Sequence, residues 1–570
     1  MKRYMLWFSQ YWKKTKWRMV LAMIITVLTI AAKTGFPLFL KFIIDELSGD
    51  FKSDHVYHLI LLFVVFSVVN EVLRGGLPFL RGYLNLVYAS MIRTDYYKWL
   101  TTKTSLFFNK FKTGDLITRL TDDIDGHWMR IMWYSCSGIL RPLEAILILC
   151  FTLGVMFWYS VPLTLCTFLP LPVLLYVLHL LDGKIITYTI DKQKSISHCN
   201  NILETSFSGI RVIKTTLSEK HQHDLYSKAT VDRVAKEKKF LLVNQLVHLS
   251  AMLVNHAGSI IVIFIGGYLA VKGRMTIGTL VMFILYLQNL IEPIWTLSLF
   301  YASSKQIFKY VDRLMEIETV GHDLDPNPLG VKIKQIESLV LEDISWRYED
   351  KGHDVFKNIN LTINKGEKIA IMGGVGSGKS SLLELISANL TLEKGKIIVN
   401  GHLVSELERK SFVRQVGYVR QENILFSETI RQNILLGDDF TGPEIDKVLT
   451  HAMIKDEVDS FRDGIETIVG QKGASLSGGQ KQRLALARTL IRNPSLLLLD
   501  DCTAAMDAET EEKFWDFFGQ SYHDTTCIVV THRLSTAARA DRILFLDDKG
   551  MAFIKPNDLT KHWSTINPAT

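Results

Sequence analysis

The feature that most constrains the fold is a set of long apolar segments in the first three hundred residues. A helix needs about 20 mostly apolar residues to cross the hydrocarbon core of a bilayer. Six segments satisfy this length: 19–41, 58–80, 131–157, 159–181, 243–271 and 277–302. Short links join the third segment to the fourth and the fifth to the sixth. The sequence therefore predicts six membrane-spanning helices, with two antiparallel hairpins among them.

The distribution of charge predicts the orientation of these helices. Six basic residues precede the first segment, whereas the loop after it carries Asp45, Glu46, Asp50 and Asp54. Lys and Arg are retained on the cytosolic side, so we expect a cytosolic N-terminus. An even number of spans returns the C-terminus to the cytosol. The long polar segments 81–130 and 182–242 then lie on that same side and are expected to extend the membrane helices.

The chain changes character after the sixth apolar segment, and we predict three parts. Residues 1–310 form the membrane domain, with two cytosolic coupling loops, and 311–336 form a linker. Residues 337–570 alternate short apolar strands with helical patterns, which is typical of a parallel sheet covered by helices on both faces. The net charge of +7 comes without a basic helix face, so it fits an anionic lipid surface better than nucleic acid.

A phosphate-binding loop is legible in the third part. Residues 373–380 read GGVGSGKS, and they lie between an apolar strand and a helical stretch. Glycines at such a junction turn backbone N–H groups toward phosphate oxygens, the lysine reaches the β- and γ-phosphates, and the following serine ligates Mg²⁺. A glycine-rich turn without a ligand is the alternative, but it leaves the flanking strand and helix unexplained. The predicted nucleotide-binding residues are Gly374, Gly376, Ser377, Gly378, Lys379, Ser380 and Ser381.

Two carboxylates follow the apolar run Leu496–Leu499. Asp500 comes at the carboxyl end of a predicted buried strand, where open α/β sheets bind their ligands. We expect Asp500 to hold Mg²⁺ through water. The next residue, Asp501, is expected to orient the water that attacks the phosphate.

Residues 476–480 read LSGGQ and precede a basic helix. With this motif the chain resembles the ATP-binding cassette (ABC) proteins, and over nearly its whole length it resembles an exporter-type half-transporter. The resemblance implies a fold class: an α-helical transmembrane domain of six long helices followed by an α/β P-loop nucleotide-binding domain with a helical subdomain. It also implies ATP-driven transport by alternating access. Ser477, Gly479 and Gln480 would contact an ATP bound by a partner cassette.

The resemblance assigns further roles to single residues. Tyr348 is similar to the aromatic residue that stacks on adenine, and Gln421 to the glutamine that contacts Mg²⁺ and water. Asp507 is similar to the aspartate of the D-loop, and His532 to the histidine that contacts the γ-phosphate. The implied catalytic set is Asp501, His532 and Gln421, and the implied metal set is Ser380, Gln421 and Asp500. The implied coupling regions are 107–120 and 204–211.

Asp501 departs from the family pattern, in which a glutamate occupies this position as the general base. A side chain one methylene shorter reaches the water poorly, and general-base assistance is worth roughly 10²–10⁴-fold in rate. The pattern resembles heterodimeric exporters with one weak and one competent site, so we expect a second half-transporter as partner. A slow homodimer is the alternative, because Gln421 and His532 are retained. Gln471, where exporters carry a glutamate, is a smaller departure.

The cargo is suggested only by polar residues within the apolar segments. Such residues are costly in lipid and must face a cavity or one another; they are Glu71, Glu144, Asn255, His256 and Glu292. Helix–helix bonding is one interpretation. Contact with an amphipathic or cationic drug-like compound, a lipid or a peptide is the other. A siderophore-type importer on the same fold and an ATP-gated regulator also remain open. We expect the chain in a bacterial inner membrane.

Overall fold

A computed structural model of the chain describes residues 2–48, 53–126, 130–319, 327–347, 354–374, 376–470, 476–504, 506–547 and 550–554. It divides into two compact units. The helical unit comprises residues 1–98 and 113–319, and the α/β unit comprises residues 99–112 and 320–570. The domain boundaries predicted at 310 and 336 stay a prediction. The last helix of the helical unit continues to Thr319.

The helices up to residue 319 are numbered in chain order. They are α1 (Lys2–Lys14), α2 (Lys16–Ser48), α3 (Ser53–Leu100), α4 (Ser105–Lys110), α5 (Thr113–Leu120), α6 (Ile131–Tyr159), α7 (Val161–Thr167), α8 (Leu171–Ser208), α9 (Ile210–Thr215), α10 (Glu219–Ile261), α11 (Gly267–Val271) and α12 (Ile277–Thr319). A π-helical turn, Val262–Gly266, joins α10 to α11 without a break.

Five runs of helix within the described residues are long and apolar enough to cross a membrane. They lie in α2, in α3, in α6, along 219–271 and in α12. These runs contain five of the six predicted segments. On α3, Leu61, Val68 and Val72 are exposed over 64%, 59% and 68% of their surface. Burial in lipid explains this exposure, because an apolar surface of this extent is unfavourable in water.

The fourth predicted segment, 159–181, is not one continuous helix. It is divided into α7 and α8 by a turn at residues 168–170, where Leu169 N donates to Cys166 O at 3.1 Å. Pro170 and Pro172 account for the break, since proline lacks the N–H that an α-helix requires and its ring clashes with the preceding turn. A proline is tolerated within the first turn of a helix, so α8 begins at Leu171.

The membrane helices are joined by specific polar contacts at their ends. Asp45, near the end of α2, accepts a hydrogen bond from Gly278 N at 3.0 Å and pairs with Lys41 at 2.7 Å. The carboxylate therefore caps the first turn of α12, where backbone N–H groups lack helical partners. Deeper in the bundle, Tyr286 Oη donates to Thr34 O at 2.7 Å.

The described residues of the α/β unit form ten strands and the remaining helices. The strands are β1 (Ser338–Trp346), β2 (Phe356–Asn364), β3 (Lys368–Gly373), β4 (Lys394–Val399), β5 (His402–Leu403), β6 (Val416–Val419), β7 (Leu496–Asp500), β8 (Thr526–Val530), β9 (Arg542–Asp547) and β10 (Gly550–Ile554). The helices are α13 (Lys379–Ile386), α14 (Arg409–Gln415), α15 (Ile430–Leu435), α16 (Gly442–His451), α17 (Lys455–Ser460), α18 (Gly478–Leu490), α19 (Ala508–Ser521) and α20 (Leu534–Ala537).

These strands form two sheets. The antiparallel sheet has the order β2-β1-β4-β5, and the larger sheet has the order β10-β9-β3-β8-β7-β6. In the larger sheet only β10 runs antiparallel to its neighbour. Every residue of β7 is buried, as its run of leucines predicts. The carboxyl ends of β3 and β7 therefore lie at the same edge of the sheet, and they carry the glycine-rich loop and Asp500.

A short segment that follows α3 belongs to the α/β unit. Within it, Phe107 is fully buried and packs edge-on against Trp99, with the ring centroids 5.8 Å apart. Leu106 packs against the apolar core beneath the antiparallel sheet. Ser105 Oγ donates to Glu384 on α13 at 3.5 Å. The helix α4 is therefore fixed to the element that follows the glycine-rich loop.

We predict that the change Gly417→Ala destabilises the α/β unit. An added Cβ on β6 would lie 2.6 Å from Thr489 Cγ2 and 2.7 Å from Pro494 Cγ, and such overpacking costs about 1–3 kcal/mol. The matched control is Gly519→Ala in α19, where an added Cβ meets nothing within 4 Å. Thermal melting of the full chain in detergent should fall for the first variant and not for the second. Equal melting temperatures would contradict the packing described here.

Candidate functional site

The glycine-rich loop connects β3 to α13 and depends on glycine at two positions. Gly373 has φ +152°, and an added Cβ would lie 2.1 Å from Leu546 O. Gly378 has φ +89°, and an added Cβ would lie 2.5 Å from Val355 Cγ1. The backbone can pass this close to β9 and β2 only without side chains. Gly374 and Gly376 are exposed on the loop between them.

The side chains of the loop surround a buried ammonium group. Lys379 Nζ donates to Gly373 O at 3.0 Å and to Gly374 O at 2.7 Å. Burial lowers the pKa of Lys379, while Asp500 and Asp501 oppose that change. Ser377 Oγ is buried and has no hydrogen-bond partner within the described part of the chain. A phosphate oxygen is an acceptor that would satisfy the Ser377 hydroxyl and the third N–H of the Lys379 ammonium group.

Asp500 and Ser380 form a pair of oxygen donors beside this lysine. Burial raises the pKa of Asp500, and a hydrogen bond from Ser380 opposes the rise. Mg²⁺ prefers oxygen ligands and is usually held by one or two carboxylates together with substrate phosphates. The hydroxyl and carboxylate present here fit that ion. Ser381 is buried on α13 behind them.

The backbone of Asp501 is held on both sides. Its N–H donates to Val530 O at 3.0 Å, and its carbonyl accepts from Gln482 Nε2 at 2.8 Å. Its φ is +49°, a left-handed conformation in which Asp is enriched. Asp501 and Gln421 line one cavity of about 520 Å³, which also reaches the first turn of α18.

The LSGGQ segment forms the start of α18. Ser477 Oγ accepts from Gln480 N at 3.2 Å, and Gln480 Oε1 accepts from Ser477 N at 2.9 Å. This reciprocal cap satisfies two N–H groups that the helix itself leaves free. Ser477 is exposed and Gly479 is half-buried. The first turn of α18 is thus an ordered helix N-terminus facing outward, the kind of place where phosphate binds.

The other residues singled out from the sequence follow the carboxyl ends of β7 and β8 or lie outside the described residues. Asp507 is exposed and caps the start of α19, and a hydrogen bond with Thr510 lowers its pKa. His532 is exposed just after β8. Tyr348 and Gln471 lie outside the described residues.

One buried link was not predicted from the sequence. Arg533, next to His532, pairs with Glu511 on α19 and donates to Ala504 O at 3.1 Å and Met506 O at 3.2 Å. Glu511 is 5% exposed and also accepts from Thr503 Oγ1 at 2.9 Å. The pair therefore holds the segment after Asp501 against the turn that carries His532. The only local signal was an acidic residue in the first turn of a predicted helix.

The predicted intramembrane carboxylates all have basic partners. Glu144 pairs with Arg81 at 2.8 Å, Glu292 with Lys33 at 2.6 Å, and Glu71 with Arg74 at 3.4 Å. The helix–helix interpretation therefore accounts for Glu144 and Glu292, whereas Glu71 pairs within α3. The two other predicted residues differ: His256 is exposed on α10, and Asn255 has a buried Oδ1 without a hydrogen-bond partner.

Comparison with known proteins gives consistent matches over both units. Residues 19–294 match the family described as the ABC transporter transmembrane region, and residues 356–504 match the family described as ABC transporter. A multidrug export ATP-binding/permease protein, so named, of Staphylococcus aureus strain NCTC 8325 / PS 47 is 29% identical over 564 residues, covering 96% of this chain and 95% of that protein. Its counterpart in the bovine strain RF122 / ET3-1 gives the same values.

A solved structure supports the fold. A bacterial Atm1-family ABC exporter with ATP bound superposes with a TM-score of 0.77 at 22% identity. The match covers 97% of this chain and 98% of that one. Similarity therefore extends through both units.

We predict that Arg533→Met destabilises the protein by about 3 kcal/mol, because it leaves the Glu511 carboxylate buried without a cation. Arg539→Met is the matched control: Arg539 pairs with the more exposed Asp516, and exposed pairs contribute about 0–1 kcal/mol. Adding Glu511→Gln to Arg533→Met should restore most of the loss. Thermal melting with and without Mg-ATP measures all three. Equal losses for Arg533→Met and Arg539→Met would contradict this assignment.

Proposed function

Because this chain belongs to the ABC transporter family, we propose that it is the slow-site subunit of an exporter and that a second, different half-transporter completes it. The coarser points follow from the family. The chain spans a membrane, binds ATP, couples ATP hydrolysis to transport, and acts in a dimer. The observation that carries the finer proposal is the fixed backbone of Asp501.

The geometry around Asp501 supports a weak general base. A glutamate here would extend its carboxylate roughly one bond length further, about 1.5 Å. Val530 O and Gln482 hold the backbone of Asp501 from opposite sides, so the main chain cannot advance to compensate. The attacking water is then poorly polarised. ATP binding is unaffected, because Lys379 and the glycine-rich loop do not depend on this residue.

The remaining residues have roles in binding and positioning. Lys379 and the backbone of the loop hold the β- and γ-phosphates. Ser380 and Asp500 would hold Mg²⁺, with Gln421 as a further oxygen ligand, and the ion would supply positive charge to the transferred phosphoryl group. His532 is assigned to contact with the γ-phosphate.

The LSGGQ segment supports a dimer with two unlike sites. Ser477, Gly479 and Gln480 are intact and ordered at the start of α18, so this chain can complete the ATP site of its partner. Its own site is completed by the partner's equivalent segment. A partner with a glutamate at the position of Asp501 then performs most of the hydrolysis.

A path from the ATP site toward the membrane helices is provided by Glu384. This carboxylate on α13 pairs with Arg420 at 2.9 Å and accepts from Ser105 at 3.5 Å. Arg420 precedes Gln421, and Ser105 begins α4. Movement of α13, or of the segment that carries Arg420 and Gln421, is therefore transmitted to α4. A short link joins α4 to α3.

We predict that Asp501→Glu raises the ATPase rate of the purified chain by about 10²-fold, since it restores the reach of the general base. Asp501→Asn should leave the low rate nearly unchanged, because the aspartate contributes little. Steady-state phosphate release measures both. The matched binding control is fluorescent ATP affinity, which should be equal in the three proteins.

We also predict that the chain purified alone turns over ATP slowly and that a partner half-transporter with the glutamate accelerates it. The accelerated rate should require Ser477 of this chain, because that residue completes the partner's site. The partner is mixed with the wild-type chain or its Ser477→Ala variant, and phosphate release is compared. Brisk turnover by the chain alone would favour the homodimer and contradict the proposal.

A further inference from the structure

The helical unit contains a cavity of about 490 Å³ lined by α2, α3, α6 and α12. It carries four basic and three acidic side chains at the depth of the apolar segments. Charges in lipid-embedded helices are costly and mark functional pathways more often than not. What the cavity can bind therefore depends on which of these charges already have a partner.

Six of these charges are paired. The carboxylates of Glu71, Glu144 and Glu292 contact Arg74, Arg81 and Lys33 respectively. A carboxylate that already has a cationic partner is a poor site for a cationic cargo, because the incoming cation must displace the partner. The acidic residues of this cavity do not select cations.

The seventh charge, Arg141 on α6, is different. Its guanidinium has no ion-pair or hydrogen-bond partner among the described residues, and its Nε is buried without an acceptor. Arg81 Nε is likewise buried without an acceptor, although its terminal nitrogens bond Glu144 and Thr26. The cavity thus has an excess of one positive charge and guanidinium donors that no described residue satisfies.

A buried donor without an acceptor is unfavourable, and an unpaired buried charge is more so. The penalty is removed when a ligand brings an oxyanion. Guanidinium groups match the planar geometry of carboxylate and phosphate, to which they donate two parallel hydrogen bonds. Apolar side chains in the same cavity, Phe36, Leu77 and Ile148, offer a surface for a hydrophobic body.

We propose that this cavity binds an amphiphile with a carboxylate or phosphate head against Arg141, and that such anionic amphiphiles are the cargo. The proposal rests on the exporter function above, whose cargo it names. The ligand is either a soluble organic anion or an anionic lipid, since both present the same head. Lys33, Arg74 and Arg81 remain paired with the protein's own carboxylates, so Arg141 is the residue that selects the charge.

The test is equilibrium binding of two dyes with the same ring skeleton and opposite charge, fluorescein (anionic) and rhodamine 123 (cationic). The full chain is held in phosphatidylcholine nanodiscs without nucleotide, and fluorescence anisotropy gives each Kd. We expect fluorescein to bind more tightly than rhodamine 123 by on the order of tenfold, since charge-assisted hydrogen bonds have about that effect. Tighter binding of rhodamine 123 would overturn the proposal.

Three variants locate the effect. Arg141→Gln should weaken fluorescein binding by about tenfold or more, and Arg141→Lys should retain part of it. Glu292→Gln should strengthen it, because Lys33 is then free to attract the anion. Lys272→Gln is the matched control: Lys272 lies over Tyr268, outside the cavity, and its loss should leave the Kd unchanged. Unchanged binding in Arg141→Gln, or weaker binding in Glu292→Gln, would overturn the proposal.

Two further readouts separate the outcomes. ATP affinity and melting temperature check that each variant is folded; if Arg141→Gln is not, Arg141→Lys and Glu292→Gln still decide the result. Replacing about 20% of the phosphatidylcholine with phosphatidylglycerol distinguishes an anionic lipid from a soluble organic anion as the ligand. A weaker fluorescein affinity in these nanodiscs indicates competition and supports a lipid cargo, whereas an unchanged affinity supports a soluble one. Because no ATP is present, slow-site behaviour and dimer composition do not affect the result.

Discussion

The carboxyl end of β7 is the constraint on which the site depends. Asp500 is the last residue of this fully buried strand, and Asp501 follows it. Hydrogen bonds to Val530 and from Gln482 on α18 hold the backbone of Asp501 in place. This rigidity brings Asp500 to Ser380 and Lys379, as metal and phosphate binding require. The same rigidity means that a shortened side chain at Asp501 cannot be compensated by backbone movement. The proposed nucleotide binding and the proposed slow hydrolysis therefore rest on one arrangement.

The helical unit also holds a charged side chain in place, in this case one without a partner of opposite charge. Two ion pairs there join α2 to α12 and α3 to α6, and a third lies within α3, while Arg141 has no partner among the described residues. In a low-dielectric region an unpaired guanidinium is tolerated only where it has a use. A cargo that supplies the missing oxyanion links membrane recognition to the ATP-driven cycle, because differential affinity between two states is what drives transport.

Local patterns predicted much of this structure. The glycine-rich loop was predictable because its residues act through backbone geometry, and the spans because helix length follows from bilayer thickness. Pro170 and Pro172 are visible in the sequence, but the prediction of one continuous span over 159–181 gave more weight to hydropathy than to these prolines. Tertiary pairings were not predictable: nothing local connects Arg533 to Glu511 or leaves Arg141 alone among four cations. The carboxylates left an amphipathic or cationic compound, a lipid or a peptide open as cargo, because their ion-pair partners could not be read from the sequence.

The most direct test of the account is a single-turnover experiment on the purified chain. Excess protein is mixed with radiolabelled Mg-ATP, and the reaction is quenched at intervals to compare bound ATP with cleaved phosphate. The account predicts that ATP binds rapidly and remains intact for many times longer than it does in the Asp501→Glu variant. Rapid cleavage of the bound ATP by the unaltered chain would contradict it, and so would a failure to bind ATP at all.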